Sequence, residues 1–404
     1  MQTPPMSRAS RLRLFYFIYY STSGVFVPYL AAYLRGIGFS GAQIGTVQMM
    51  APLIALPAAL SWATLADHLR QPTRALRLAM LWAGLALCAL PFAHAPLAVA
   101  LVMLVYGFGD RAVTPLVDSI SLELVRTQPG LAYSRLRLFG SIGFTFFAQA
   151  LGLLLSWRGD LPADLLVPIV GAAGALATAL VARSIPDSPT PPSRPTWHDV
   201  RALVQDPRLI VLLLAASVHW MCCSPYHMLY GVFVRDQGLP ASITGLSMAV
   251  GVSAEVMVLF LFPLLERRLP LAALLAVGFA GSSLRWLLLA HSHSWLPMVA
   301  VQLFHGCSIG LFWGSTMAAM GLIVPAQLRV TGQALITALV FGVANAAGFR
   351  LSGAGYDLFG SARPLYACAS LLELLPLGLT LFLLRRLANP PAPLLVEPAP
   401  DLEL

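Results

Sequence analysis

The chain has 404 residues, of which 58% are hydrophobic and only 10% charged, and a formal net charge of +8. Its mean hydropathy is +0.77, whereas an ordinary soluble domain carries roughly a quarter charged residues, so a soluble globular protein is excluded. The basic residues sit between apolar runs rather than in a continuous stripe, which speaks against a nucleic-acid partner.

A hydrocarbon core about 30 Å thick takes roughly 20 apolar residues per helix, so the chain has room for about twelve spans with short connections. The first apolar run follows Arg8, Arg11 and Arg13; it is too long for a removable signal peptide, lacks an Ala-x-Ala cleavage site, and is read as the first span. In chain order the runs lie near 14–34, 42–66, 75–93, 97–124, 137–156, 164–183, 209–234, 242–265, 270–290, 296–321, 331–354 and 363–385. The predicted fold is therefore an all-α integral membrane protein of twelve transmembrane helices. The connection SIPDSPTPPSRPTWHDVRALVQDPR is too rich in proline and charge to span. It divides the chain into six-helix bundles at 1–183 and 209–388, joined by a cytoplasmic linker at 184–208, with a disordered tail at 389–404.

All 25 basic residues are arginine, and most lie at the N-terminus, in the even-to-odd loops or at the C-terminus. That bias predicts both termini on the cytoplasmic face of a bacterial-type inner membrane, and explains the net charge as topology. The five cysteines (Cys88, Cys222, Cys223, Cys307, Cys368) fall inside apolar runs without metal-ligand spacing, so no metal or cofactor is expected. No zinc-protease, nucleophile-elbow, phosphate-loop or cysteine-metal pattern is present, so catalysis is not expected either.

The halves echo each other. YLRGIGFSGAQIG at 33–45 and FVRDQGLPASITG at 233–245 share an arginine (Arg35, Arg235), a turn glycine (Gly38, Gly238) and a helix-start glycine (Gly45, Gly245) at an offset of 200. Internal repeats of this kind mark secondary transporters. Twelve spans in two similar halves, with LADHLRQPTR between spans two and three, resemble the major facilitator superfamily and its short acidic-then-basic loop motif. Asp67 and Arg70 survive from that motif, whereas Trp62 and Leu69 replace its usual glycines. Further stretches narrow the resemblance to the branch holding the 3-phenylpropionate transporter and, more distantly, the lactose/proton symporter. These are FYFIYYSTSGVFVPYLAAYLRGIGFS, TPLVDSI, YSRLRLFGSIGF, AEVMVLF, LRW and VQLFHGCSIGLFW.

The resemblance implies transport of a small solute by alternating access, with protons as the coupling partner, a lipid bilayer as the surroundings and a monomer as the working unit. An ionisable group at mid-membrane is costly, so it usually faces a cavity or a partner. Asp118 and Arg137 resemble the acidic and basic pair that binds sugar in the lactose symporter; the alternative is a salt bridge fixing the hairpin of spans four and five. Glu255 and Arg285 resemble a second such pair, tied to proton coupling, against which stands a static bridge between two helices. Gln302 and His305 stand three apart on one helical face and by resemblance hydrogen-bond the substrate, with His305 also in proton coupling. In the lactose symporter a lysine matches Gln302 and a proton-carrying glutamate matches Ser308, and neither charge is present here.

Span seven carries His219, Tyr226, His227 and Tyr230 around Pro225, which can kink the helix beside a cavity; Tyr226 is the expected substrate contact. Relatives place a histidine where this chain has Cys223. Tyr230 is either a contact or an interfacial anchor. Asp110, Arg111 and Arg350 match no family position and are left open between a substrate pocket and the outer membrane face. Arginines with Trp286 and Trp313 suit an aromatic monocarboxylate, whereas Asp118 with Gln302 and His305 suits the hydroxyls of a sugar or nucleoside. The competing function is proton-coupled efflux or exchange.

Overall fold

Without water in the hydrocarbon region, the backbone of an apolar run must satisfy its own hydrogen bonds, and a helix does so within one segment. The computed structural model describes residues 6–69, 71–128, 131–186, 205–325 and 328–380. Each of the twelve apolar runs overlaps a helix there, the last of them only in part: α1 Arg8–Gly36, α2 Gly41–Leu69, α3 Pro72–Leu87, α4 Pro96–Thr127, α5 Tyr133–Trp157 and α6 Leu166–Ala182; then α7 Pro207–Asp236, α8 Ala241–Arg268, α9 Leu271–Ala290, α10 Trp295–Ile323, α11 Thr331–Phe359 and α12 Arg363–Leu372. Among the described residues, nine helices are long and apolar enough to cross a membrane. Arg70, the side chain of Asp67, most of the 184–208 linker and the 389–404 tail lie outside the described residues.

Local chemistry sets several helix ends. Asp206 caps α7, accepting from the Arg208 backbone N–H at 2.8 Å while the Arg208 guanidinium closes on the same carboxylate at 2.7 Å. Replacing a capping Asp by Ala costs about 1 kcal/mol. Asp206→Ala is therefore expected to lower the thermal unfolding midpoint of the detergent-solubilised protein by a few degrees.

α1 packs on α5 and α6, and α2 and α3 pack on α4; in the second set α7 packs on α11 and α12, and α9 on α12. Among the described residues, the main contacts between the two sets are α1 with α7, α2 with α11, and α5 with α8. Shifting by six helices turns the α2–α11 contact into the α8–α5 contact, so these two seams are copies of one another. Both are tightest on the side away from the N-terminus, hereafter the far side.

There each set completes the other's helices. Asp357 of α11 accepts the Gly41 and Ala42 N–H groups at 2.6 and 2.7 Å, at the start of α2. At the start of α8, Asp160 accepts the Ala241 N–H at 3.0 Å and Ser156 accepts the Ser242 N–H at 2.9 Å. A helix N-terminus presents unbonded N–H groups and a positive dipole end, which these acceptors satisfy.

The repeated glycines belong to the same seams. A Cβ on Gly45 would stand 2.5 Å from the Phe349 carbonyl oxygen, and one on Gly245 would stand 2.6 Å from that of Ala148. Gly38 and Gly238 turn the chain just before, with φ of 96° and 69°, a region L-residues with side chains avoid. Arg235 adds a hydrogen bond to the Pro162 carbonyl at 3.0 Å, while Arg35 lies over the Tyr356 ring at 5.5 Å.

Toward the N-terminal side, hereafter the near side, α5 and α8 part. A cleft of about 580 Å³ opens between them, lined by Leu138, Ser141, Phe146, Val252, Ser253 and Phe260 among others. Among the described residues no hydrogen bond joins the two sets on the near side. The hydrogen bonds that join the two sets among the described residues therefore gather on the far side.

Candidate functional site

The polar residues singled out in the sequence gather in two clusters, one in each set of six helices. In the second set, α10 is not a regular helix: Val301–Phe304 form a tight 3₁₀ turn and Gly306–Leu311 a wide π turn. Such changes of pitch recur at functional sites because they re-aim side chains. Gly306 sits where α10 crosses α8, since a Cβ there would meet the Val258 side chain at 2.8 Å.

Arg285 of α9 is fully buried. Its guanidinium lies 4.2 Å from the Tyr226 ring centroid and 4.5 Å from that of Trp286, and its Nη2 donates to Gln302 Oε1 at 2.6 Å. The Gln302 amide nitrogen donates onward to the Met298 carbonyl at 2.8 Å. Among the described residues, Nε and Nη1 of Arg285 have no hydrogen-bond partner. Aromatic faces stabilise a cation by roughly 0.5–2 kcal/mol, well short of the several kcal/mol that removing a charge from water costs. A buried guanidinium held only by rings and a neutral amide is short of one negative charge.

Glu255 does not supply it. Its carboxylate lies 3.3 Å from His305 Nε2, with 24% of the Glu255 side chain exposed. The expected Glu255–Arg285 pair is thus replaced by Glu255–His305 and Arg285–Gln302. The physical reason is α10: a Cβ on Gly251, one turn before Glu255, would meet the His305 ring at 3.2 Å, so His305 lies directly over α8. Among the described residues, His305 Nδ1 has no hydrogen-bond partner. Tyr226 is buried with its ring 6.1 Å from that of His305, and half-buried His227 lies against Trp220 at 5.3 Å.

In the first set, Asp118 and Arg137 are both half-buried, and no ion pair joins them. Tyr16 of α1 stands between: its hydroxyl donates to Asp118 at 2.6 Å, and its ring lies 5.8 Å from the Arg137 guanidinium, which stacks more closely on Tyr20 at 4.0 Å. The hairpin salt bridge therefore does not form, and the two charges are separately presented. Asp110 accepts the Tyr19 hydroxyl at 3.2 Å with Arg111 Nε 3.9 Å away, while Arg350 is exposed on the outside of α11. Tyr230 is not an interfacial anchor, because it is buried and donates to Ser247 at 2.6 Å.

Sequence reasoning missed Glu373, although a carboxylate inside the last apolar run, in SLLELLPLG, was the available signal. It is fully buried and faces His219, whose Nδ1 lies 2.9 and 3.0 Å from its two oxygens. Ser282 and Trp286 donate to Oε1 at 2.8 and 3.2 Å, and His219 Nε2 bonds the Ser308 carbonyl at 2.8 Å. Cys223 makes a third metal-binding side chain nearby, but both ring nitrogens of His219 are already engaged by hydrogen bonds.

The profile of the MFS_1 like family matches residues 9–367. The maltose permease of Geobacillus stearothermophilus is 27% identical over 337 residues, which cover 82% of this chain and 84% of that protein. The probable 3-phenylpropionic acid transporter of Escherichia coli (strain K12) is 28% identical over 370 residues, covering 86% and 92%. Among solved structures, the nucleoside transporter NupG superposes with a TM-score of 0.82 at 16% identity over 94% of this chain and 100% of that one, a likeness of fold.

Proposed function

The chain belongs to the MFS_1 like family and is a multi-pass membrane transporter rather than an enzyme, and on that premise we propose that it takes up a small organic monocarboxylate, arylpropionate-like acids first, by proton symport. The observation that carries the reading is Arg285, a buried guanidinium between two aromatic rings that forms no ion pair with a carboxylate among the described residues. A solute carboxylate would supply the missing charge and its ring would find an apolar wall. The name of the Escherichia coli relative supports the same solute class.

In this reading 1–183 and 209–388 are two halves that rock about the α1–α7 contact, and solute binds between them near mid-membrane. Asp118, Arg137, Tyr226, Gln302 and His305 contact the solute; Glu255, Arg285 and His305 carry the proton coupling; Asp67 and Arg70 belong to a gating loop. The near side is cytoplasmic, both termini lie in the cytoplasm of a bacterial cell, and one chain is the working unit. The described state then faces inward. A sugar is the second reading, favoured by the Gln302 amide, the Asp118 carboxylate and the maltose permease likeness.

Reconstituted uptake decides. Radiolabelled 3-phenylpropionate, maltose and a purine nucleoside are offered to proteoliposomes with and without an inward proton gradient, against protein-free vesicles. The expected result is saturable, gradient-stimulated uptake of 3-phenylpropionate alone. Its coupling limit is about tenfold accumulation per pH unit, because one unit is worth about 1.4 kcal/mol. Gradient-driven maltose uptake without phenylpropionate uptake would replace the first reading by the second, and acid-driven extrusion from preloaded vesicles would establish efflux.

A further inference from the structure

The His219–Glu373 pair lies outside the cluster read as the solute site, yet it touches that site along two lines. The Ser308 carbonyl can only accept, so His219 Nε2 carries a proton; the tautomer follows from the partner. At Nδ1, either the ring donates to a carboxylate or it accepts from a carboxylic acid. Ser282 and Trp286 both donate to Glu373 Oε1, so the carboxyl group is held from two further sides. Either way the pair holds one proton between its partners and is neutral as a unit.

Its contacts span four helices. His219 comes from α7, Ser282 and Trp286 from α9 and Ser308 from α10, while Glu373 directly follows α12. Ser308 lies in the π turn that immediately follows His305, and the 3₁₀ turn before it carries Gln302. Trp286 donates to Glu373 with its indole nitrogen and presents its ring to the Arg285 guanidinium. One line therefore runs from the pair through Ser308 to Gln302 and His305, and the other through Trp286 to Arg285.

We propose that His219 and Glu373 are positioning residues: a hydrogen-bonded clamp that holds the irregular turns of α10 in the shape that sets His305 against Glu255 and Gln302 against Arg285. The role rests on the reading of those residues as the solute site, whereas the clamp itself can be tested without any solute. Cys307 is the reporter, since it sits in the π turn, half-buried, with its Sγ 2.9 Å from where a Cβ on Gly281 would lie.

The variants are His219→Leu, which releases the Ser308 carbonyl, Glu373→Leu, which takes away the shared partner of His219 Nδ1, Ser282 and Trp286, and Glu373→Gln, which keeps an acceptor for Ser282 and Trp286 and offers an N–H to His219. In reconstituted protein, the rate of Cys307 alkylation by N-ethylmaleimide is read by peptide mass spectrometry, beside the KM and maximal rate of 3-phenylpropionate uptake. The leucine variants are expected to change the labelling rate by about tenfold or more, in keeping with the loss of a buried charged hydrogen bond, and to raise KM more than they lower the maximal rate. Glu373→Gln should restore both. Folded leucine variants that label Cys307 at the wild-type rate would overturn the clamp, as would a glutamine variant that behaves like them.

If the leucine variants do not fold, Ser282→Ala removes one donor to Glu373 and is expected to shift labelling and KM in the same direction by a smaller factor; no shift would overturn the clamp. A wild-type protein that takes up no phenylpropionate would remove the solute reading while leaving the labelling result to judge the clamp.

Discussion

Glu255→Gln is expected to abolish gradient-driven accumulation while leaving solute exchange between the two faces within about threefold of wild type. The carboxylate is the exposed partner of a coupled pair: 24% of its side chain is accessible, and it meets His305 Nε2 at 3.3 Å. Arg285, Tyr226 and His227 are further titratable groups of that cluster, and none of them hydrogen-bonds the carboxylate. A glutamine fills the same space and still accepts a hydrogen bond from His305, but it cannot take up or release a proton. A symporter that cannot shed its proton cannot complete the empty return, whereas counterflow needs no net proton movement. The measurement is accumulation under an imposed pH difference beside counterflow in preloaded vesicles. The wild-type limit of about tenfold per pH unit should fall to the level of protein-free vesicles. Accumulation that survives the substitution would place the coupling proton elsewhere and remove Glu255 from the mechanism.

The second large effect lies at the far-side seams. Asp357 accepts two backbone N–H groups of α2, and Asp160 with Ser156 accepts two of α8. Hydrogen bonds to a charged group contribute roughly 1.5–3 kcal/mol each, less when water can replace them. The Ala42 bond is exposed and water can take it over in either state, whereas the Gly41, Ala241 and Ser242 bonds are part-buried, so the loss on the closed state rests on these. Asp357→Ala is expected to shift the closed-to-open ratio by about tenfold, and adding Asp160→Ala to shift it further by a similar factor, the two seams being far enough apart to add. Distances between spin labels on the α1–α2 and α11–α12 turns, read by pulsed electron resonance, should gain a longer component that dominates in the double variant. An unchanged distance distribution would mean that glycine packing alone closes the far side.

The helices were legible because apolar run length is set by the bilayer, and the position of each run depends on nothing outside itself. Gly45 and Gly245 were legible as a repeat but not as seams, since their purpose depends on Phe349 and Ala148, carbonyls that sequence spacing cannot bring near. Pairing across helices was the least accessible layer. The Glu255–Arg285 expectation assumed a regular α10, and no residue pattern announces a 3₁₀ turn running into a π turn; that irregularity exchanges the partners. Asp118 and Arg137 look like a bridge until Tyr16, which lies 102 residues before Asp118, comes between them. Glu373 was overlooked for a related reason, its partner being 154 residues away.

The far-side seams also bear on how such a molecule is assembled. Each half lends the other the acceptors for two of its helix-start N–H groups, so neither set of six helices has finished secondary structure alone. While the second half is still being synthesised, the start of α2 has no Asp357 to meet and depends on water or lipid headgroups for its orphan donors. Docking of the halves is thus a step in which helices are completed as well as packed. Two halves produced as separate chains would carry on those helix ends the information needed to find each other in register.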